Sequence, residues 1–166
     1  MNSFRITKYN PANRDHNGHY LEDTWSSSSQ IGQQFGGKTF TLHDYLMVEA
    51  DYIACLTHIL QKANIQSLQL KEFEDYRDNT MQHNVLFSDI KYKIELKDNQ
   101  CVDLILLNTI VKLALREAIW CKLITDDAFI HFGYDLYSYI GVPSAVKIEK
   151  HKIGNVYIES YTSPYL

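Results

Sequence analysis

The sequence predicts an α+β fold: two main helices packed on a mostly antiparallel sheet, with a C-terminal β-meander. Three observations carry this. Residues 41–64 and 98–117 repeat apolar side chains with helical period, and residues 119–161 break into short runs rich in β-branched and aromatic types. The chain has 166 residues, of which 45% are hydrophobic. A chain of this length buries roughly 70% of its unfolded surface, enough for one core, so residues 1–166 read as a single domain.

In chain order, Phe4-Arg5-Ile6-Thr7-Lys8-Tyr9 alternates apolar and polar residues and predicts a strand. Asn10 to Asp23, with Pro11 and Asn17-Gly18, reads as a long polar loop whose far end Trp25 anchors. Ser26 to Phe35 predicts a short helix stopped by Gly36-Gly37. Thr41, with Asp44 three residues on, is close to a capping box. It opens an amphipathic helix through Leu42, Tyr45, Tyr52, Leu56 and Ile59 to about Asn64. Ser67 to Phe73 alternates as a second strand, residues 74–84 are polar, and residues 85–97 alternate as a further strand. Asp98 or Asn99 could cap a second helix running to about Glu117. Its polar stripe is confined to Asn108, Lys112 and Arg116, so it should be central and largely buried. Strands follow at Ile119 to Ile124, Phe129 to Tyr134, Leu136 to Val142 and Val156 to Tyr161. Thr125-Asp126-Asp127 makes a hairpin turn, Pro143 ends one strand, and Gly154-Asn155 introduces the last.

Composition narrows the function classes. Sixteen Lys+Arg against twenty Asp+Glu leave a net charge of −4, which argues against direct nucleic-acid binding. Seven Gly, three Pro and three Cys exclude collagen-like, disordered and disulfide-scaffold chains. The first residues contain no apolar run of the secretory type, and the apolar stretch from Val102 to Leu107 is too short to span a bilayer. The expectation is a cytoplasmic protein with no membrane partner, and Cys55, Cys101 and Cys121 as buried reduced thiols.

No phosphate loop, dinucleotide fingerprint, nucleophile elbow or zincin helix occurs, and no cofactor or metal is expected. His16 and His19 flank Asn17-Gly18 near Asp15, Glu22 and Asp23, but a zinc site needs three or four rigid ligands, so a solvated loop is the better reading. His131, inside an apolar strand, reads as a hydrogen-bonded core histidine. Glu49 falls on the apolar face of the first helix between Tyr45 and Tyr52. A carboxylate there needs a cation, and Arg116 is the first candidate partner, Arg5 the second. A structural ion pair is the ordinary reading. The alternative is a small hydrolase-like enzyme using residues 15–25 or the Glu49/Arg116 region.

Negative charge is unevenly distributed. From Thr39 to Gln61 three acids (Asp44, Glu49, Asp51) meet no Lys or Arg, and residues 72–78 hold four acids and one Arg. These acids, interleaved with rings, predict a surface for a basic protein built from Asp44, Asp51, Glu72, Phe73, Glu74, Asp75, Tyr76 and Asp78. The basic cluster Lys147, Lys150, Lys152 is too small to reverse that balance.

Several strings occur together: Phe4-Arg5-Ile6-Thr7-Lys8-Tyr9-Asn10-Pro11, Gly18-His19-Tyr20 to Trp25, Ile31-Gly32, and Tyr45 with Val48-Glu49 and Tyr52. Leu115-Arg116-Glu117 to Trp120-Cys121-Lys122-Leu123, and His131-Phe132-Gly133-Tyr134-Asp135 to Tyr139-Ile140-Gly141, complete the set. Over about residues 4–141, apart from 65–100, the chain resembles a family of small bacterial cytosolic proteins associated with immunity to polymorphic or contact-dependent growth inhibition toxins. The resemblance implies an inhibitor, not an enzyme, whose partner is a cognate toxin domain. Many such toxins are basic nucleases, and an acidic surface can occupy the places where phosphates sit. It carries over no site residues.

Overall fold

A computed structural model describes residues 1–78, 81–90, 94–149 and 151–166 of the chain. The elements in order are β1 (Asn2–Thr7), β2 (Gln34–Phe35), β3 (Lys38–Thr39), α1 (Leu42–Lys62), β4 (Ser67–Asp75), β5 (Cys101–Asp103) and α2 (Leu104–Leu115). Then come β6 (Ile119–Ile124), β7 (Phe129–Phe132), β8 (Ser138–Val142), β9 (Lys152–Ile153) and β10 (Val156–Ser160). Among the described residues, eight strands form one sheet in the order β5-β4-β6-β7-β8-β1-β10-β9, every pairing antiparallel. The fold is the expected α+β layer of two helices on an antiparallel sheet, and β6-β7-β8 is the expected meander. Its two flanks depend on long-range pairing: β1 joins β8 to β10, and β4 joins β5 to β6.

α1 begins where the capping box requires. Thr41 Oγ1 accepts from the Asp44 amide at 3.2 Å, and the Asp44 carboxylate accepts from the Thr41 amide at 2.9 Å. Asn64, at φ 56°, closes the helix in the left-handed region, and the Ile65 amide bonds back to the Leu60 carbonyl at 2.9 Å. The buried face carries Tyr45, Glu49, Tyr52, Cys55, Leu56, Ile59 and Leu60. α1 packs against β8, β9 and β10, while α2 packs against β5 and β6, and the helices touch each other.

Alternation divides the sheet into two sides. Ile6, Leu70, Leu123, Ile130 and Ile140 belong to the core side with the helices. Trp120, Lys122, His131, Tyr139, Arg5 and Glu159 occupy the other side, crossed by the C-terminal segment. There Ser163 Oγ is 2.8 Å from His131 Nδ1, and Tyr165 meets the rings of Trp120, His131 and Tyr139. Gly141 lies opposite Phe129, where an added Cβ would come within 2.1 Å of the ring.

Four expectations need correction. Residues 26–35 are not a helix but a 3₁₀ turn (Ser28–Gln30) followed by the β2–β3 hairpin. Gly36-Gly37, at φ 54° and 77°, are the two central residues of its turn rather than a helix stop. Asp98 and Asn99 do not cap α2. They form a turn whose far arm, β5, pairs with the edge of β4, so Asp103 becomes the cap, accepting from Ile105 and Leu106 at 3.0 and 2.7 Å. Residues 85–97 form no strand where described, and 91–93 lie outside the described residues. Val85–Phe87 is a 3₁₀ turn that presses Leu86 and Phe87 into the core. Finally, Cys55 and Cys121 are buried, but Cys101 is exposed, because alternation in β5 turns Val102 inward. Lys150 also lies outside the described residues.

Candidate functional site

The Glu49–Arg116 pair forms as the sequence suggests. Arg116 Nε and Nη2 reach the two Glu49 oxygens at 2.8 and 2.5 Å, with side chains 0% and 2% exposed. Arg116 also donates to Asp89 at 2.7 Å and to the Leu86 carbonyl. Burial raises the Asp89 carboxyl, but hydrogen bonds from Arg116 and Lys112 outweigh it and hold the group down at about 2. A groove of about 640 Å³ between α1 and α2 runs past Glu49, whose oxygens are both occupied by Arg116. Arg5, the second candidate, instead pairs with Glu159 at 2.9 Å.

The loop before Trp25 is bound to itself. Asp15 accepts from the Asn17 and His19 amides, Asn13 and Tyr20 donate to Glu22, and the His19 side chain is 78% exposed. Trp25 stacks on Phe40 at 4.1 Å, with the Lys8 ammonium 4.2 Å from its ring. Among the described residues, no cluster of His, Cys, Asp or Glu is arranged to hold a metal ion. No helix among them is long and apolar enough to cross a membrane.

The predicted acidic surface is not one patch. Asp44 caps α1. Asp51 accepts from the Asn155 amide and side chain at 2.8 and 2.7 Å, tying α1 to the β9–β10 turn at one edge of the sheet. Residues 72–78 are the end of β4 and the three residues after it, near the opposite edge. There Glu72 pairs with Lys122 at 2.9 Å, Asp75 pairs with Arg77 at 2.6 Å, and Asp78 accepts from the Met81 amide. Phe73 is half-buried against the core. The helix acids and the strand acids are thus separated by the width of the sheet, and two of the latter are neutralised by the chain's own cations.

Glu74 and Tyr76 belong to a different assembly, a cleft of about 490 Å³ at one end of β4, β6 and β7. Three segments meet there. The end of β4 and the residue after it bring Glu74 and Tyr76; the exit of α2 and the start of β6 bring Glu117 and Trp120; the β7–β8 connection brings Tyr134 and Asp135. Leu115, Ile119, Phe132 and Leu136 give it apolar walls. The Tyr76 amide bonds to the Ala118 carbonyl at 3.0 Å, and Trp120 Nε1 donates to the Phe132 carbonyl at 3.1 Å, which fixes the indole. The Tyr76 hydroxyl donates to Glu74, which raises the phenol pKa. Tyr76 and Tyr134 are 51% and 86% exposed.

The backbone around the cleft is held in unusual conformations. Glu117, Asp135 and Leu136 have φ of 59°, 53° and 59°, three of the six non-glycine residues with positive φ among those described. Each costs about 1 kcal/mol or more in that region. Glu117 gets there by closing α2, where the Ala118 amide returns to the Leu113 carbonyl. Asp135 and Leu136 get there in a tight loop closed by the Gly133 amide and Tyr137 carbonyl at 2.7 Å. Among the described residues no Lys, Arg or His lines the cleft, so three carboxylates and four aromatic rings share it without a cation.

Charge patterning found Glu74 and Tyr76 but passed over Glu117, Trp120, Tyr134 and Asp135. Those four fall in two short stretches, Glu117 with Trp120 and Tyr134 with Asp135, far in sequence from residues 74–76, and all come together only after β4, β6 and β7 pair. The one signal available was that all four lie within the two C-terminal strings that carry the family resemblance. Compared with protein-family models, curated proteins and solved structures, the chain matches none of them.

Proposed function

We propose that this chain is an inhibitor of immunity type, which binds a cognate bacterial toxin, a basic nuclease, and neutralises it by occupying its cationic surface in the cytoplasm. It acts by binding and not by catalysis. The observation that carries the reading is the cleft of Glu74, Glu117 and Asp135 among Tyr76, Trp120 and Tyr134, an acidic and aromatic surface that no Lys, Arg or His lines among the described residues. Carboxylates steer a basic partner into place and mimic phosphate oxygens, while exposed rings supply contact area with little loss of side-chain freedom. The resemblance to toxin-immunity proteins supports the same reading, and the overall charge of −4 favours a basic protein over nucleic acid.

The test is to mix the purified chain with the toxin domain encoded beside its gene. The expected result is a stoichiometric complex, loss of nuclease activity, and association that slows about tenfold or more as salt rises from about 0.05 to 0.5 M. Absence of a complex at the lowest salt rejects the reading.

A further inference from the structure

We propose that the cleft is a socket for a guanidinium group, taking one arginine side chain of the bound partner. This rests on the binding role above but can be tested without that partner. Elsewhere the chain pairs several of its acids with its own cations: Glu49 has Arg116, Glu72 has Lys122, Asp75 has Arg77, and Glu159 has Arg5. In the cleft it does not. Among the described residues Glu117 and Asp135 make no ion pair and the Glu74 carboxylate has only the Tyr76 hydroxyl. Three carboxylates around an apolar-walled space of about 490 Å³ strongly favour a cation.

Shape selects guanidinium over ammonium. The indole of Trp120 is held in place by the Phe132 carbonyl, and Tyr76 and Tyr134 stand exposed beside it. A planar, weakly hydrated guanidinium stacks on such rings while its N–H groups fork onto carboxylates, and its methylene stem suits the apolar walls. The chain holds one of its own guanidiniums in the same way. Arg5 lies 5.1 Å from the Tyr137 ring centre and 4.2 Å from that of Tyr161 while donating to Glu159 at 2.9 Å.

The experiment titrates the purified chain at low salt with three probes: N-acetyl-arginine methylamide, a short neutral peptide with one central arginine, and the same peptide with citrulline in its place. The readout is the NMR shift of the Trp120 indole N–H. Both arginine probes should shift it saturably, with the citrulline peptide about tenfold weaker or worse. The double substitution Glu117→Gln, Asp135→Asn keeps shape and removes charge, and it should weaken the arginine peptide by about tenfold. Tyr134→Ala, at an exposed ring, should weaken it severalfold. No response to either arginine probe, an equal response to citrulline, or indifference to the double substitution overturns the socket. Binding of the small amide but not the peptide overturns the assignment to a partner's side chain in favour of a free guanidinium compound. Saturation by arginine probes with no toxin complex rejects the proposed function and leaves the socket standing. A toxin complex that keeps its affinity in the double variant does the reverse.

Discussion

Glu49 and Arg116 face each other with both side chains almost wholly out of solvent, so removing Arg116 strands the Glu49 carboxylate, whereas removing Glu49 leaves Arg116 its pairing with Asp89. Burial alone would lower the Arg116 pKa; the hydrogen bonds to Glu49 and Asp89 more than reverse that. Arg116→Met should therefore lower unfolding free energy by about 3–5 kcal/mol. Combining it with Glu49→Leu should recover most of the loss, since the double variant leaves no buried charge at the α1–α2 contact; urea titrations of the three proteins check this. His131 is different, because it is buried uncharged. Burial, with Lys122 adding to it, pushes its pKa down from 6.5 to about 4. Between these values the unfolded chain holds a proton that the folded chain refuses. Its contribution is thus complete above pH 6.5 and is lost as pH falls toward 4, by at most about 3 kcal/mol. His131→Gln should flatten that part of the stability profile, and an unchanged slope would mean that another group causes it. Both residues were legible in the sequence, because a charge or an imidazole amid apolar neighbours has few ways to be satisfied. Their partners were less so: Arg116 was found, whereas Ser163, on the far side of the sheet, was not.

At the scale of the element, local chemistry decided more for α1 than for α2. The Thr41–Asp44 box lies within four residues, so no distant strand competes with it. Thr41→Ala should cost about 1 kcal/mol, measurable as a lower thermal or urea midpoint with little change in helix content. In α2, Asp98, Asn99 and Asp103 are all competent caps. The choice among them falls to β4, whose free edge binds residues 101–103 and delays the helix until Leu104. The same competition explains residues 85–97. Their alternation suits a strand, yet the 3₁₀ turn at Val85–Phe87 instead packs Leu86 and Phe87 into the core and places the Leu86 carbonyl against Arg116. The meander strands were readable because each is short, bounded by turn residues, and paired with its neighbour in sequence.

At the scale of the whole molecule, sequence proximity was a poor guide to surface. Asp44 and Asp51 belong to one helix but serve a cap and the β9–β10 turn, far across the sheet from Glu72 to Asp78. The cleft gathers acids and rings from residues 74–76, 117–120 and 134–135, brought together by the β4–β6 and β6–β7 pairings. What the sequence by itself determined was the α+β class, α1, the meander and the need of Glu49 for a cation, because these follow from periodicity, capping and the cost of burying charge within short reach. What only the tertiary structure decided was the strand order, the start of α2 and the union of Glu74, Glu117 and Asp135 in one cleft. Those depend on which edges pair and which faces meet, and the free energy of that choice belongs to contacts between residues far apart in the chain.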